Sequence, residues 1–253
     1  MCRRNYFIRP PKADEMTLKN MKPTKRIFPN SFTSLNLFCG FLSIIEAAEQ
    51  NYVLAAWLIG AAAIFDALDG VAARITRSSS QFGVELDSLS DVVSFGLAPA
   101  FLIYEIGLKR FETLGIVVAG IYLLCGAFRL ARFNTQLVGF KKEYFVGLPI
   151  PTAALTIAAY ILVFAEGNNL TFSYDLYTIV LVLTLAMLMV SKFRYETLPH
   201  FSIHGIKEKP FHFSFIALSL AALFLTQGRA VFLIFLFIVL FGIFNSVYLK
   251  IKK

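Results

Sequence analysis

The sequence predicts an all-α integral membrane protein of about eight membrane-spanning helices, with both termini in the cytoplasm. Hydrophobic residues fill 57% of the 253 positions, charged residues fill only 16%, and the mean hydropathy is +0.68. A soluble domain carries about 25% charged residues, so this composition favours a membrane protein. The apolar residues form eight stretches, at 31–48, 52–75, 87–107, 112–130, 150–166, 175–191, 212–227 and 230–249.

Each stretch is interpreted as a helix. Most of them approach the roughly 20 residues that a helix needs to cross the hydrocarbon core of a bilayer. Backbone polar groups in lipid need hydrogen-bond partners within the protein, and a helix supplies them. The sequence therefore predicts one transmembrane domain at 29–253, preceded by a basic cytoplasmic segment at 1–28.

The lysines and arginines predict the orientation in the membrane. With the amino terminus inside, 21 of the 24 basic residues lie in the termini or in loops on that same side. The opposite loops hold only Lys109, Arg110 and Arg229. Cytoplasmic loops carry an excess of basic residues, so both termini are expected inside. The net charge of +8 then faces anionic lipid headgroups, and no nucleic-acid partner is expected.

Four aspartates are the most informative feature of the chain. Asp66 and Asp69 end the second stretch with i, i+3 spacing, which places them on one helical face. Asp87 and Asp91 open the third stretch with i, i+4 spacing, again on one face. Because the two helix ends emerge on the same side of the membrane, all four carboxylates are expected to converge there.

The converging carboxylates predict a cation site. A carboxylate at the bilayer centre costs roughly 2.5–3.5 kcal/mol, and like charges that face one another add repulsion. A divalent cation removes the repulsion, and clustered carboxylate oxygens suit Mg²⁺, Mn²⁺ or Ca²⁺. Since Mg²⁺ commonly joins carboxylates to substrate phosphates, a metal-bound diphosphate is the natural inference. A single Asp at a helix end is usually a solvated cap, but four in register favour the metal site.

Small residues and one arginine accompany the aspartates. Gly70 and Ala73 follow the first pair, and Gly83 precedes the second. Small residues let helices approach closely, and they leave room for a ligand against the backbone. Arg74 lies one turn after Gly70 and could bind phosphate oxygens. Alternatively, it is an interfacial arginine whose charge reaches the membrane surface.

The chain resembles the CDP-alcohol phosphotransferase family at every position of that family's signature, Asp66-x2-Asp69-Gly70-x2-Ala73-Arg74-x8-Gly83-x3-Asp87-x3-Asp91. Eight fixed residues over 26 positions make the match highly specific. The resemblance implies that Asp66, Asp69 and Asp87 are the main ligands of Mg²⁺ or Mn²⁺. It implies that Asp91 is both a metal ligand and the general base. Nucleotide or CDP-lipid contacts are implied for Asp69, Gly70, Ala73, Arg74 and Gly83.

The resemblance also bears on architecture and on the first stretch. It implies six core membrane helices, ending near residue 192, and a homodimer; this chain adds a helix pair at 212–249. Thr33 and Asn36 lie at i, i+3 in the first stretch and could hydrogen-bond a cytidine or ribose. Asn30 is a further candidate for this contact, although it could simply cap the helix.

Two further segments point to the acceptor. Arg129 and Arg132 share a helical face at the end of the fourth stretch, and either could instead be a positive-inside anchor. The segments RLARFN, at 129–134, and GLPIP, at 147–151, resemble the phosphatidylserine synthase branch of the family. That resemblance implies L-serine as the acceptor, with Arg129, Arg132 and Asn134 contacting the acceptor or the lipid phosphate.

The expected reaction is transfer of the phosphatidyl group of CDP-diacylglycerol to L-serine at the cytoplasmic face, in the inner membrane if the cell is bacterial. Within the family, the alternative acceptors are glycerol 3-phosphate and inositol phosphate. A cation-coupled transporter is a distant alternative, because it would place its charges near mid-membrane and aim broken helices at them. His200, His204 and His212 are expected to be ordinary surface residues.

Overall fold

The computed structural model describes residues 24–76, 80–136, 144–166, 169–170, 175–196 and 231–251, and most of these residues are helical. The helices are α1 (Thr24–Ala48), α2 (Tyr52–Thr76), α3 (Gln81–Asp91), α4 (Ala98–Ile103), α5 (Thr113–Gln136), α6 (Ile150–Phe164), α7 (Asp175–Val190) and α8 (Val231–Ile251). Short antiparallel strand pairs join β1 (Tyr144–Val146) to β4 (Arg194–Glu196) and β2 (Ala165–Glu166) to β3 (Asn169–Leu170).

The described helices include four that are long and apolar enough to cross a membrane, namely Asn30–Ala48, Tyr52–Thr76, Gln81–Phe111 and Thr113–Thr135. Shorter apolar helices are Ile150–Phe164, Leu176–Val190 and Phe232–Gly242. The chain is thus a helical integral membrane protein, as predicted. The described residues do not include the stretch at 212–227, most of the segment at 1–28 or the three histidines. The count of eight spans therefore stays a prediction.

The third helix begins before the predicted position 87. Ser80 has an extended backbone, and its hydroxyl accepts a hydrogen bond from the Gly83 amide at 3.0 Å. A serine at this position satisfies an amide that the first helical turn would otherwise leave unpaired. Helix α3 therefore starts at Gln81, and Asp87 and Asp91 lie inside the helix instead of at its opening.

Helix α3 continues to Phe111 through irregular turns. Two π-helical segments, Val92–Leu97 and Tyr104–Leu108, flank α4, and a 3₁₀ turn at Lys109–Phe111 ends the helix. Pro99 has no N–H to donate to the Phe95 carbonyl four residues earlier. The buried Tyr122 hydroxyl of α5 donates to that carbonyl at 3.2 Å. The irregular segment is thereby bonded to α5.

Helix α1 packs against both α2 and the third helix. The second contact is close because Gly40 has no side chain. A Cβ atom at Gly40 would lie 2.6 Å from the Cα atom of Ser94, far inside the usual contact distance of about 3.5–4.0 Å. This approach of two backbones brings the polar residues of α1 to the aspartates.

Candidate active site

Three of the four aspartates meet in one cluster. One carboxylate oxygen from each of Asp66, Asp69 and Asp87 lies within 4.8 Å of the other two. Asp66 and Asp69 reach the cluster from the same face of α2, and Asp87 reaches it from α3. The Asp66 and Asp87 carboxylates are close enough to interact electrostatically, and two ionised carboxylates at this separation repel each other. A cation, or a proton shared between two of the carboxylates, removes this repulsion.

The donor set of this cluster fits a divalent cation. Oxygen ligands lie at 2.0–2.6 Å from Mg²⁺ or Ca²⁺, so opposite ligands are about 4–5 Å apart. The Asp87 Oδ1 atom is buried and has no hydrogen-bond partner among the described residues. A buried polar oxygen without a partner is costly, and a cation would satisfy it. Asp66, Asp69 and Asp87 could therefore hold a metal ion.

Asp91 lies beside this cluster but does not belong to the group of three oxygens. Its side chain is only 7% exposed, and it interacts electrostatically with Asp66 and Asp87. A cationic neighbour, Arg129 of α5, interacts with Asp91 with the opposite sign. The fourth aspartate is thus close both to the acidic cluster and to a buried guanidinium.

Two residues of α1 face the carboxylates. Thr33 Oγ1 donates to Asp69 Oδ2 at 2.9 Å, and Asn36 Nδ2 donates to Asp91 Oδ1 at 3.4 Å. Thr33 is 4% exposed, and Asn36 is 0% exposed. The sequence predicts nucleotide contacts for these two side chains, whereas the structure places their donor groups on Asp69 and Asp91. The local sequence gives no sign of these partners.

The remaining residues predicted to contact the nucleotide lie around the same cluster. The Asn30 amide is next to Gly83, since a Cβ atom at Gly83 would lie 3.5 Å from Asn30 Oδ1. A Cβ atom at Gly70 would meet no other residue within 4 Å, so Gly70 faces open space. Ala73 is half-buried and Arg74 is exposed on the next turn of α2.

Arg129 and Arg132 have different surroundings although they lie one turn apart. Arg129 is 7% exposed, and its guanidinium lies 5.3 Å from the centre of the Phe133 ring. Arg132 donates from Nη1 to the Val190 carbonyl at 2.9 Å and from Nη2 to the Val146 carbonyl at 2.8 Å. Arg129 therefore lies beside Asp91, and Arg132 bonds α5 to the end of α7 and to β1.

The segment that follows β1 is part of the same junction. Gly147 has a φ of +85°, a backbone conformation that favours glycine. Its amide donates to the Phe193 carbonyl at 2.8 Å, and the Leu148 amide donates to the Leu188 carbonyl at 3.0 Å. The segments RLARFN and GLPIP, which resemble one branch of the family, thus meet at the end of α7.

Three serines of the third helix contribute contacts that the sequence analysis did not identify. Ser90 Oγ donates to the Thr33 carbonyl at 3.1 Å, and Ser94 Oγ donates to the Asn36 carbonyl at 2.9 Å. Ser88 Oγ accepts a hydrogen bond from Asn134 Nδ2 at 2.9 Å. The i, i+4 spacing of two serines in an apolar helix was the available signal for the first pair of contacts.

Comparison with known sequences agrees with this geometry. A sequence model of the CDP-alcohol phosphatidyltransferase family matches residues 26–190. The CDP-diacylglycerol–serine O-phosphatidyltransferase of Helicobacter pylori is 36% identical over 231 residues, which cover 89% of this chain and 93% of the relative. The enzyme of that name from Methanocaldococcus jannaschii is 41% identical over 169 residues, covering 66% of this chain and 73% of the relative.

A third relative is named for the synthesis of a different lipid. The archaetidylserine synthase of Methanothermobacter thermautotrophicus is 38% identical over 169 residues, covering 66% of this chain and 68% of the relative. The family match covers all four aspartates and the helices that carry them, which confirms the resemblance found in the signature. The chain belongs to the CDP-alcohol phosphatidyltransferase family.

Proposed function

We propose that the protein transfers the phosphatidyl group of CDP-diacylglycerol to L-serine and releases phosphatidylserine and CMP. The observation that carries this proposal is the cluster of Asp66, Asp69 and Asp87, with Asp91 beside it. The relatives named for transfer to serine, at 36–41% identity, favour serine over glycerol 3-phosphate or inositol phosphate.

Asp66, Asp69 and Asp87 would hold a divalent cation, Mg²⁺ or Mn²⁺, at the diphosphate of the CDP-lipid. When bound, the cation neutralises the diphosphate and stabilises the departing CMP. Asp91 acts as the general base and takes the proton from the serine hydroxyl. The hydroxyl oxygen then forms a bond to the phosphorus that carries diacylglycerol, and the bond from that phosphorus to the CMP oxygen breaks.

Arg129 is the residue we assign to the acceptor carboxylate or to the lipid phosphate. It is buried beside Asp91, so a carboxylate or phosphate paired with it lies near the general base. A guanidinium can donate two parallel hydrogen bonds to such an anion. Arg132 and Asn134 support this arrangement from α5, since their side chains are bonded to the end of α7 and to Ser88.

The nucleotide is assigned to the opening between α2 and the start of α3. Gly70 faces open space there, Ala73 is half-buried on the next turn of α2, and Gly83 lies beside Asn30. Exposed Arg74 would contact phosphate oxygens. Asp69 borders this opening from the metal cluster.

The site is assigned to the cytoplasmic side of the membrane, with both termini on that side. This assignment is supported by the excess of basic residues in the termini and in the loops on the side of the aspartates. Eight spans are proposed: a core to about residue 192 and an extra pair at 212–249. The active form is proposed to be a homodimer.

The direct test is an assay of purified protein with CDP-diacylglycerol, Mg²⁺ or Mn²⁺ and a panel of alcohols. Serine should give equal amounts of CMP and phosphatidylserine, and the other alcohols should give little product. Efficient transfer to glycerol 3-phosphate or inositol phosphate, with none to serine, would reject serine as the acceptor. Absence of CMP release with every alcohol would reject the proposed reaction itself.

A further inference from the structure

We infer that Thr33 and Asn36 are positioning residues that orient two different carboxylates of the site from α1. This inference rests on the proposed function, because it assigns Asp69 to the metal and Asp91 to the proton transfer. The two residues lie at i, i+3, so they present neighbouring donors along one face of the helix. Thr33 meets Asp69 at 2.9 Å and Asn36 meets Asp91 at 3.4 Å.

The backbone of α1 is fixed at the same two residues. Ser90 donates to the carbonyl of Thr33, and Ser94 donates to the carbonyl of Asn36, at 3.1 and 2.9 Å. These serines lie one turn apart on the third helix, so their two hydrogen bonds fix the position of one turn of α1 along the third helix. Gly40 allows the two helices to come that close. The donors of Thr33 and Asn36 are therefore held in place relative to the carboxylates.

The contact with Thr33 fixes the orientation of the Asp69 carboxylate. The Thr33 hydroxyl donates to Oδ2 of Asp69, and the Gly70 backbone amide also donates to this carboxylate, so Asp69 is held from α1 and from its own helix. Hydrogen bonds from outer residues commonly orient carboxylate ligands in this way, and their loss typically weakens metal binding about 10- to 100-fold. Thr33 is therefore expected to strengthen metal binding through its hydrogen bond to Asp69.

The contact with Asn36 has a similar effect on Asp91. Its amide nitrogen lies on Oδ1 of Asp91, so the other oxygen remains for the hydroxyl proton of the acceptor. The Oδ1 atom of Asn36 is buried and has no partner among the described residues. An amide that leaves its carbonyl unpaired is a poor choice for packing alone. Asn36 is therefore best explained by the donor that it supplies to Asp91.

The role of Thr33 is tested by metal binding without substrate. Mn²⁺ titrated into detergent-solubilised protein and followed by electron paramagnetic resonance should bind Thr33→Val about 10- to 100-fold more weakly than wild type. Thr33→Ser keeps the hydroxyl and should restore the affinity. Ser43→Ala is the matched control, because Ser43 is also buried on α1 and donates to a backbone carbonyl, that of Ala55, at 2.9 Å. Equal Mn²⁺ affinity in wild type and Thr33→Val would overturn this part of the inference.

The role of Asn36 is tested by steady-state kinetics at saturating Mn²⁺. Asn36→Leu keeps the size and removes the donor, so kcat should fall about tenfold or more through the misplaced base, with the KM for serine nearly unchanged. Ser43→Ala should retain the wild-type kcat. Unchanged kcat in Asn36→Leu, or a defect confined to KM, would overturn the positioning role.

The outcomes for the inference and for the proposed function are distinct. An inactive wild-type protein would reject the proposed function, while the Mn²⁺ titration would still decide the role of Thr33. An active wild type with unaffected Thr33→Val and Asn36→Leu would reject only the positioning roles. Thr33→Ala and Asn36→Ala remove the same donors with less bulk, and they replace either variant that fails to give monodisperse protein.

Discussion

Arg132 donates from Nη1 to the backbone carbonyl of Val190 at 2.9 Å, so the end of α5 is bonded to the last residue of α7. The carbonyls at the end of a helix have no partners within the helix, and they attract cations through the helix dipole. Arg132 supplies a cation and several donors at this position. Its neighbour one turn earlier, Arg129, is buried beside Asp91 instead.

Replacement of Arg132 should therefore reduce stability more than it changes substrate affinity. Hydrogen bonds to a charged group contribute about 1.5–3 kcal/mol each, so we expect Arg132→Ala to lower the Tm by about 5 °C or more. Arg132→Lys should recover only part of this loss, because an ammonium cannot reproduce the planar arrangement of guanidinium donors. Thermal unfolding can be followed with a thiol-reactive dye, since Cys39 is buried and Cys125 is partly buried. An unchanged Tm with a raised KM for serine would instead indicate a substrate contact.

Replacement of Arg129 should instead change substrate affinity more than it changes stability. If its guanidinium binds the carboxylate of serine, Arg129→Lys should raise the KM for serine about tenfold and change the KM for CDP-diacylglycerol much less. A defect confined to CDP-diacylglycerol would assign Arg129 to the lipid phosphate. If Arg129→Lys has wild-type kinetics, Arg129 serves only as a positive-inside anchor.

Removal of the metal should abolish the reaction. Chelation with EDTA is expected to stop CMP release, and added Mg²⁺ or Mn²⁺ should restore it, because the diphosphate would otherwise face the carboxylates of Asp66, Asp69 and Asp87. Asp66→Asn and Asp69→Asn should be inactive while remaining monodisperse in detergent. Full activity in EDTA would contradict the metal assignment.

Asp91→Asn tests the general base separately from substrate binding. An amide cannot take the proton of the serine hydroxyl, so kcat at saturating serine should fall about 100-fold or more. The assay must be run at several metal concentrations, because the resemblance to the family also makes Asp91 a candidate metal ligand. Unchanged turnover of serine would exclude Asp91 as the base.

Gly40→Ala should destabilise the contact between α1 and the third helix. A Cβ atom at Gly40 would lie 2.6 Å from the Cα atom of Ser94, and overpacking of this kind typically costs about 1–3 kcal/mol. Gly120→Ala is the matched control, since Gly120 lies within α5 and a Cβ atom there would meet nothing within 4 Å. It should be neutral or slightly stabilising, because alanine favours helix more than glycine does. Equal thermal stability of the two variants would argue against the close approach.

Contacts between the aspartates could be predicted because their spacing is local. The i, i+3 and i, i+4 intervals fix which carboxylates share a helical face, and the short connection between the second and third helices brings those faces to one end of the bundle. The start of α3 was missed because the capping contact of Ser80 was not recognised, so the predicted helix began at 87 instead of at Gln81.

The sequence by itself determined the membrane class, the family and the group of acidic residues, since these follow from composition and from spacings within one or two helices. The tertiary structure decided the partners of Thr33, Asn36 and Arg132. Their contacts join residues 36, 55 and 58 positions apart in the chain. Which face of α1 meets the aspartates, and which of two arginines reaches the end of α7, depends on how separate helices pack. A local pattern specifies the face of a helix, but only the packing of another helix specifies what that face contacts.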